Sequence, residues 1–234
     1  MDGRVNVGFA VIAEILTFIS LIFEMISVVL LIGSVGWDSF SMLTGARGEY
    51  FILLVLGIVS AVFQLIVLKQ WMDVLNNNIN NTKRLFSAIR TDDISVKSEI
   101  EAVSMELENE KIPGWPYWGY LIAYVILYLF SFAVWPTMIA GLIGFIMFLI
   151  FLHHIFSTSN SVYTKKARAY SYLRNLKGYP QIDDISKITK RNLFLVIVLT
   201  VVTFGIYWLY LFIKLSAEIN EFVKTDELAR TKLA

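Results

Sequence analysis

The chain has no cysteine and only two histidines among its 234 residues. Without cysteine there is no disulfide framework, no thiol nucleophile and no cysteine-ligated metal. Because His153 and His154 are neighbours, they fit neither a histidine-based catalytic triad nor a His-Glu-x-x-His zinc site. We therefore predict a protein that is not an enzyme and that holds no metal and no other cofactor.

Charge is also scarce, and neither sign dominates. Lys and Arg together number 20 against 19 for Asp and Glu, whereas nucleic-acid-binding domains are usually strongly basic. Only 17% of residues are charged and 57% are hydrophobic, compared with about 25% and about 45–50% in soluble domains. The composition excludes a nucleic-acid partner and predicts an integral membrane protein.

Five apolar stretches reach the length of about 20 residues that a helix needs to cross a bilayer. They cover residues 7–35, 50–71, a block at 117–157 that holds two spans, and 192–215. Pro136 divides the long block into a tight hairpin, because proline disfavours helix in the residue before it. For the last stretch we favour a plain span over the alternative, a re-entrant hairpin that turns at 203–205.

Lys and Arg concentrate in two long polar segments, 72–116 and 158–191, whereas the loop between the first two spans contains only Arg47. The positive-inside rule places such segments in the cytoplasm. We therefore expect these segments and the N-terminus to be cytoplasmic.

The sequence also repeats itself. Shifting the chain so that Gly57 falls on Gly141 superposes Asn76 on Asn160 and aligns two Arg-x-x-Ser-x-x-Arg motifs. We interpret this as two parallel helical-hairpin repeats with cytoplasmic extensions; the alternative is chance in an apolar chain. The predicted organisation is hairpin repeat 1 at 1–95, an acidic amphipathic linker helix at 96–115, hairpin repeat 2 at 116–186, and a membrane segment with a polar tail at 187–234.

The two motifs carry four arginines near the expected inner leaflet. Each basic residue near an anionic lipid surface contributes about 1 kcal/mol, so we expect contacts with lipid phosphates or a partner, although ordinary positive-inside flanking is the alternative. These residues are Arg84, Arg90, Arg168 and Arg174. Asp-Asp-Ile-Ser occurs at 92–95 and again at 183–186, and here we favour helix N-caps over a divalent-cation site.

The first span contains two acidic residues, Glu14 and Glu24. Insertion of an acidic residue at the middle of a membrane helix costs a free energy of about 2.5–3.5 kcal/mol. Steps of three and four join both glutamates to hydroxyl residues in one polar stripe, which we predict to face protein rather than lipid. The stripe, with a glutamine of the second span, comprises Glu14, Thr17, Ser20, Glu24, Ser27 and Gln64. We favour hydrogen bonding of both glutamates to Gln64, to hydroxyls or to another subunit; the alternative is a path for protons or cations.

Near the C-terminus, Thr203-Phe204-Gly205-Ile206-Tyr207-Trp208-Leu209-Tyr210 precedes a Glu-Ile-Asn tail at 218–220. This pattern resembles the Thr-x-Gly-Ile-Tyr-x-x-Tyr/Trp signature of an uncharacterised family of small bacterial and archaeal membrane proteins, a domain of unknown function. The resemblance is confined to about 192–222 and implies no activity. We interpret Thr203, Gly205, Tyr207 and Trp208 as a packing kink; an unwound ion- or substrate-binding segment is the alternative.

Together these features predict an accessory, assembly or scaffold subunit in the plasma membrane of a prokaryote. It would act through helix packing, with the lipid bilayer, other membrane subunits or further copies of itself as partners, and with anionic lipids as additional contacts. The alternative is a small channel or proton-coupled transporter that uses Glu14 and Glu24.

Overall fold

The computed structural model describes residues 2–33, 39–130, 134–175 and 182–233, and it describes side chains outside 24–54, 128 and 134. Seven helices and no strand occur in these residues, which confirms the all-helical class. The helices are α1 (Val7–Gly33), α2 (Ser39–Ala88), α3 (Ile94–Asn109), α4 (Trp115–Leu129), α5 (Val134–Arg174), α6 (Leu193–Val202) and α7 (Ile206–Leu233).

The chain divides into two compact units. We call residues 6–67 the hairpin unit, and residues 1–5 together with 68–234 the bundle unit. The hairpin unit contains α1 and the first part of α2. The bundle unit contains the end of α2 and all later helices.

Two helical stretches, 55–88 and 135–174, are long and apolar enough to cross a membrane, while 7–23 and 193–202 are shorter apolar stretches. The second of the long stretches has 40 residues, or about 60 Å of helix, which is twice the bilayer core of about 30 Å. Part of this helix must therefore extend beyond any membrane that it crosses.

The C-terminal region is a helical hairpin, so the plain fifth span that we favoured is wrong. Helix α6 has 10 residues and is about 15 Å long, half of the bilayer core. The chain then turns through positive φ angles of 51° at Phe204 and 89° at Gly205. An ion pair of 2.8 Å between Arg191, before α6, and Glu218, well inside α7, shows that the two helices run antiparallel.

Pro136 lies inside α5 and not, as predicted, in the turn between α4 and α5. Helix α5 already begins at Val134, so Pro136 occupies its first turn, where proline costs no intrahelical hydrogen bond. The Thr137 hydroxyl donates to the carbonyl oxygen of Phe130 at 2.8 Å and ties the start of α5 to the end of α4.

The capping interpretation is confirmed at one aspartate pair and wrong at the other. Asp93 is the N-cap of α3 and accepts hydrogen bonds from the backbone N–H groups of Ser95 and Val96. Residues 182–192 are not helical, and here the aspartates form ion pairs instead, Asp183 with Lys232 and Asp184 with Arg174. No helix begins at the second copy, so there is nothing there to cap.

The turn at Gly205 generates the first testable prediction. An L side chain is strained at this φ, by about 1–2 kcal/mol, so Gly205→Ala should lower the Tm of the detergent-solubilised protein by a few degrees. The matched control is Gly141→Ala within α5, where an added Cβ meets only the Leu127 side chain, at 3.7 Å. Equal changes in Tm for the two variants would contradict the role given to Gly205.

Candidate functional site

Three helices, α2, α5 and α7, form the core of the bundle unit. Their apolar positions recur at helical spacing, which places them on one face of each helix. The Trp71 indole N–H donates to the Ser216 hydroxyl at 2.9 Å, and the Trp71 ring lies 4.8 Å from that of Phe212. The largest fully buried apolar side chains include Trp71, Leu75 and Ile79 of α2, Phe151 and Leu173 of α5, and Phe212 and Phe222 of α7.

Charged side chains occupy the same core farther along the helices. We call this set the ionic cluster: Asp2, Asn78, Lys166, Tyr170, Asp226 and Arg230. Asp2, Asn78, Lys166 and Asp226 each have 0% of their surface exposed. The cluster joins two cations to two carboxylates, so its formal charges cancel.

Asp226 of α7 is the acceptor at the centre of the cluster. One carboxylate oxygen accepts from Lys166 Nζ at 2.9 Å, from Asn78 Nδ2 at 2.7 Å and from Arg230 Nε at 2.9 Å. The other accepts from the Tyr170 hydroxyl at 2.8 Å. The carboxylate thus accepts four hydrogen bonds, and both of its oxygens have a donor.

Lys166 of α5 is equally well satisfied. Besides Asp226, its ammonium group donates to the side-chain oxygen of Asn78 at 2.5 Å and lies 5.5 Å from the centre of the Phe222 ring. Because a buried charge is tolerated only when it is paired and hydrogen-bonded, this geometry explains how a lysine fits into the core.

All six residues lie outside the predicted spans, which end at residues 71, 157 and 215 in α2, α5 and α7. Burial changes the ionisation of several of them. Burial favours the neutral carboxyl of Asp226, but Lys166 and Arg230 outweigh it and hold the pKa of Asp226 below its usual range. Burial lowers the pKa of Lys166, and the neighbouring Asp226 opposes this change. Burial and the charge of Asp226 both raise the pKa of Tyr170, so its hydroxyl remains a donor.

The N-terminal segment also belongs to the cluster. Asp2 accepts from Asn78 at 2.7 Å and from Asn81 at 2.5 Å, and it pairs with Arg230. The main chain of Val5 forms two hydrogen bonds of 2.8 Å with the side-chain amide of Asn220. The first residues of the chain are thereby fixed to α7.

The ionic cluster was not among the predicted sites, although the sequence contains a signal for it. Lys166 falls four residues after the buried Val162 and three before the buried Ala169, and Asp226 falls between the buried Phe222 and Ala229 at the same spacing. Opposite charges at core positions of two amphipathic helices indicate a buried ion pair.

In the hairpin unit, the polar stripe is only partly bonded as expected. Gln64 Nε2 donates to the Thr17 hydroxyl at 2.9 Å, and Ser60 lies 2.6 Å from the same hydroxyl. Neither oxygen of the buried Glu14 carboxylate has a hydrogen-bond partner among the described residues, and the same holds for the Ser20 hydroxyl. Among the described residues Glu14 therefore bonds neither to Gln64 nor to a hydroxyl, and its expected bond to another subunit stays a prediction. The side chains of Glu24 and Ser27 lie outside the described residues.

The two arginine motifs share one local geometry. Ser87 donates to the carbonyl of Arg84 at 2.8 Å, and Ser171 donates to that of Arg168 at 2.7 Å. Their arginines have different surroundings. In the second motif, Arg168 forms ion pairs with Glu99 and Glu106 of α3, and Arg174 forms an ion pair with Asp184. In the first motif, Arg84 is exposed to solvent and Arg90 lines a surface cavity of about 690 Å³. Contact of these four with lipid phosphates stays a prediction, as does the internal duplication.

The residues of the C-terminal turn pack against aromatic neighbours. Thr203 accepts from the backbone N–H of Tyr207 at 2.9 Å, and the Trp208 ring lies 5.3 Å from Phe148 and 5.5 Å from Phe212.

His153 and His154 have ring centres 6.1 Å apart. In the described part of the chain, no three His, Cys, Asp or Glu side chains lie close enough together to hold a metal ion.

Residues 191–233 match the model of a family described as a domain of unknown function, DUF4234. This confirms the resemblance to an uncharacterised family and its confinement to one segment. The matched segment coincides with the α6–α7 hairpin and includes Asp226 and Arg230. No curated protein and no solved structure matches the chain.

The ionic cluster generates the second prediction. Asp226→Asn leaves Lys166 and Arg230 buried with only Asp2 as a counter-charge, and should lower the free energy of unfolding by about 3–5 kcal/mol. The double variant Lys166→Met with Asp226→Leu removes one charge of each sign and should recover most of that loss. Denaturant unfolding in detergent measures both.

The control for this series is Asp184→Asn, which breaks an exposed ion pair that is worth about 0–1 kcal/mol. If Asp226→Asn and Asp184→Asn were equally stable, or if the double variant were the least stable of all, the central role of the buried pair would be refuted.

Proposed function

We propose that this is a non-catalytic membrane protein that anchors a cytoplasmic helical bundle and acts as an accessory, assembly or scaffold subunit. The spans would be α1, the apolar parts of α2 and α5, and α4, with the α6–α7 hairpin entering the bilayer without crossing it. The ends of α2, α5 and α7, with α3, would form the part that is presented to partners.

The distribution of exposed apolar side chains carries this proposal. Large hydrophobic side chains are exposed along four stretches, at 12–23, 55–62, 115–146 and 194–210. Elsewhere in the described chain, the exposed large hydrophobic residues are Ile94, Met105, Tyr172 and Leu228. Soluble proteins rarely expose contiguous apolar faces of this extent, whereas bilayer-facing helices require them.

The polar part of the bundle unit supports the same division. Its surface carries ion pairs that link α3 to α5, such as Lys165 with Glu110 at 2.6 Å, and its core holds the ionic cluster. Such groups are expensive in hydrocarbon, so the bundle fits the aqueous side of the membrane. The basic flanks favour the cytoplasmic side, and the resemblance to bacterial and archaeal proteins favours a prokaryotic plasma membrane.

Cysteine labelling tests this topology cleanly because the chain has no native cysteine. Ser98→Cys in α3 and Lys224→Cys in α7 should react with a membrane-impermeant thiol reagent only in inside-out vesicles. Thr44→Cys, between the first two expected spans, should react only in right-side-out vesicles. Labelling of Ser98→Cys and Lys224→Cys from opposite sides would rule out the hairpin arrangement of α6 and α7.

One observation favours a second candidate function, a proton-coupled transporter. A carboxylate buried in an apolar helix pair without a hydrogen-bond partner, as at Glu14, is a common part of intramembrane proton relays. A scaffold accounts for that carboxylate only if another subunit supplies its hydrogen-bond partner. The scaffold remains our first choice because the bundle unit has a well-packed core and because, among the described residues, no ionisable side chain bonds to Glu14.

Glu14→Gln separates the two functions because it keeps the shape of the side chain and removes its ionisation. For a scaffold, we expect proteoliposomes of the wild type and the variant to show the same background proton flux, and both proteins to form the same assembly in mild detergent. Gln64→Leu, which removes only the Thr17 contact, is the control for packing. A pH-driven flux that is present in the wild type and lost in Glu14→Gln would replace the scaffold proposal.

A further inference from the structure

A cavity of about 510 Å³ opens on one side of α5 in the bundle unit. Its walls come from α5, from Glu106 of α3, and from residues 190–193, where the non-helical segment enters α6. Phe156 and Leu193 contribute apolar surface, and the α5 positions from 157 to 168 contribute polar and basic surface. The cavity therefore lies at the boundary between the apolar and the polar parts of the bundle unit.

Four cations line this cavity. Arg168 and Lys165 are held by acidic residues of the α3 region, and Arg191 is held by Glu218 at 2.8 Å. Lys190 is exposed, and its ammonium group has no ion-pair or hydrogen-bond partner in the described part of the chain. The three paired cations are fixed in place, while Lys190 is available for an external anion.

Uncharged donors surround the same space. Ser157, Asn160 and Ser161 line the cavity, and among the described residues no partner takes up their side-chain hydrogen-bonding groups. Asn76, which aligns with Asn160 in the proposed repeat, forms two hydrogen bonds with the main chain of Ile112 instead. Asn160 is thus not needed for packing in the way that Asn76 is.

Cationic and neutral donors that converge in one cavity fit a group with several acceptor oxygens, and a phosphate is the best match to this chemistry. The apolar surface begins immediately beside the cavity, because Phe194 is 74% exposed and Leu195 is 54% exposed on α6. A free phosphate has no apolar group that could cover this surface, whereas the acyl chains of a lipid would cover it.

We propose that this cavity binds the headgroup phosphate of an anionic phospholipid through Lys190, Asn160 and Ser161, with the acyl chains along the exposed face of α6. The site differs from the arginine motifs, of which only Arg168 reaches the cavity. The lipid-site proposal rests on the membrane placement proposed above. It goes beyond a general electrostatic attraction to the inner leaflet, because it names a phospholipid headgroup and the residues that bind it.

The test measures lipid retained by the delipidated full-length protein, by native mass spectrometry during titration with phosphatidylglycerol. A cation near an anionic lipid contributes a factor of about five in affinity, so Lys190→Gln should weaken binding at least about fivefold, and Asn160→Leu should weaken it as well. Lys224→Gln is the matched control, because Lys224 is an exposed lysine of the same bundle that lines none of the described cavities. We expect it to leave binding unchanged within about twofold.

Three results would overturn the site or its ligand. Equal weakening by Lys190→Gln and Lys224→Gln would mean diffuse electrostatic attraction without a site. No retained phosphatidylglycerol would mean that the cavity does not bind this lipid. If millimolar inorganic phosphate displaced the lipid headgroup and bound equally well without it, the ligand would be free phosphate.

Membrane placement is measured separately, by flotation of the wild type and of Lys190→Gln with vesicles of phosphatidylcholine alone. Both proteins should float. If neither floats, the proposed function fails; if both float while Lys190→Gln retains phosphatidylglycerol like the wild type, the lipid site alone fails.

Discussion

The bundle unit depends on the contact between Lys166 and Asp226. Neither charge could remain in a core without the other, and their bonds involve all three long helix ends, through Asn78 of α2, Tyr170 of α5 and Arg230 of α7. A hydrophobic core tolerates small rotations of its helices, whereas a buried carboxylate that accepts from donors on α2, α5 and α7 does not. The ionic cluster therefore fixes the register of the three helices.

The features of the fold that depend on neighbouring residues could be predicted from the sequence, whereas those that depend on contacts between distant residues could not. The N-cap of α3 at Asp93 depends on neighbours within three residues, and the lengths of the apolar stretches are sufficient to place the apolar parts of α1, α2 and α5. The reversal at Gly205 was less predictable, because α6 is too short to span a bilayer but continuous in hydropathy with α7. The ionic cluster joins residues as distant as Asp2 and Arg230, and no local pattern shows which helices meet.

Buried polar groups differ between the hairpin and bundle units in how completely they are paired. In the bundle unit every charged member of the ionic cluster has a partner, which makes that unit rigid and specific. In the hairpin unit, Thr17, Ser60 and Gln64 bond to one another, while the carboxylate of Glu14 has no hydrogen-bond partner among the described residues. A buried polar group without a partner requires an explanation, and proton movement is one such explanation for Glu14.

The burial of Asp2 beside Asp226 has a consequence for biosynthesis. Asp2 leaves the ribosome well before its partners on α7, since Arg230 follows it by 228 residues. The core of the bundle unit therefore cannot close until α7 has been synthesised. A nascent chain that stops before α7 leaves Lys166 without its carboxylate partner and presents an incomplete bundle unit to chaperones and proteases.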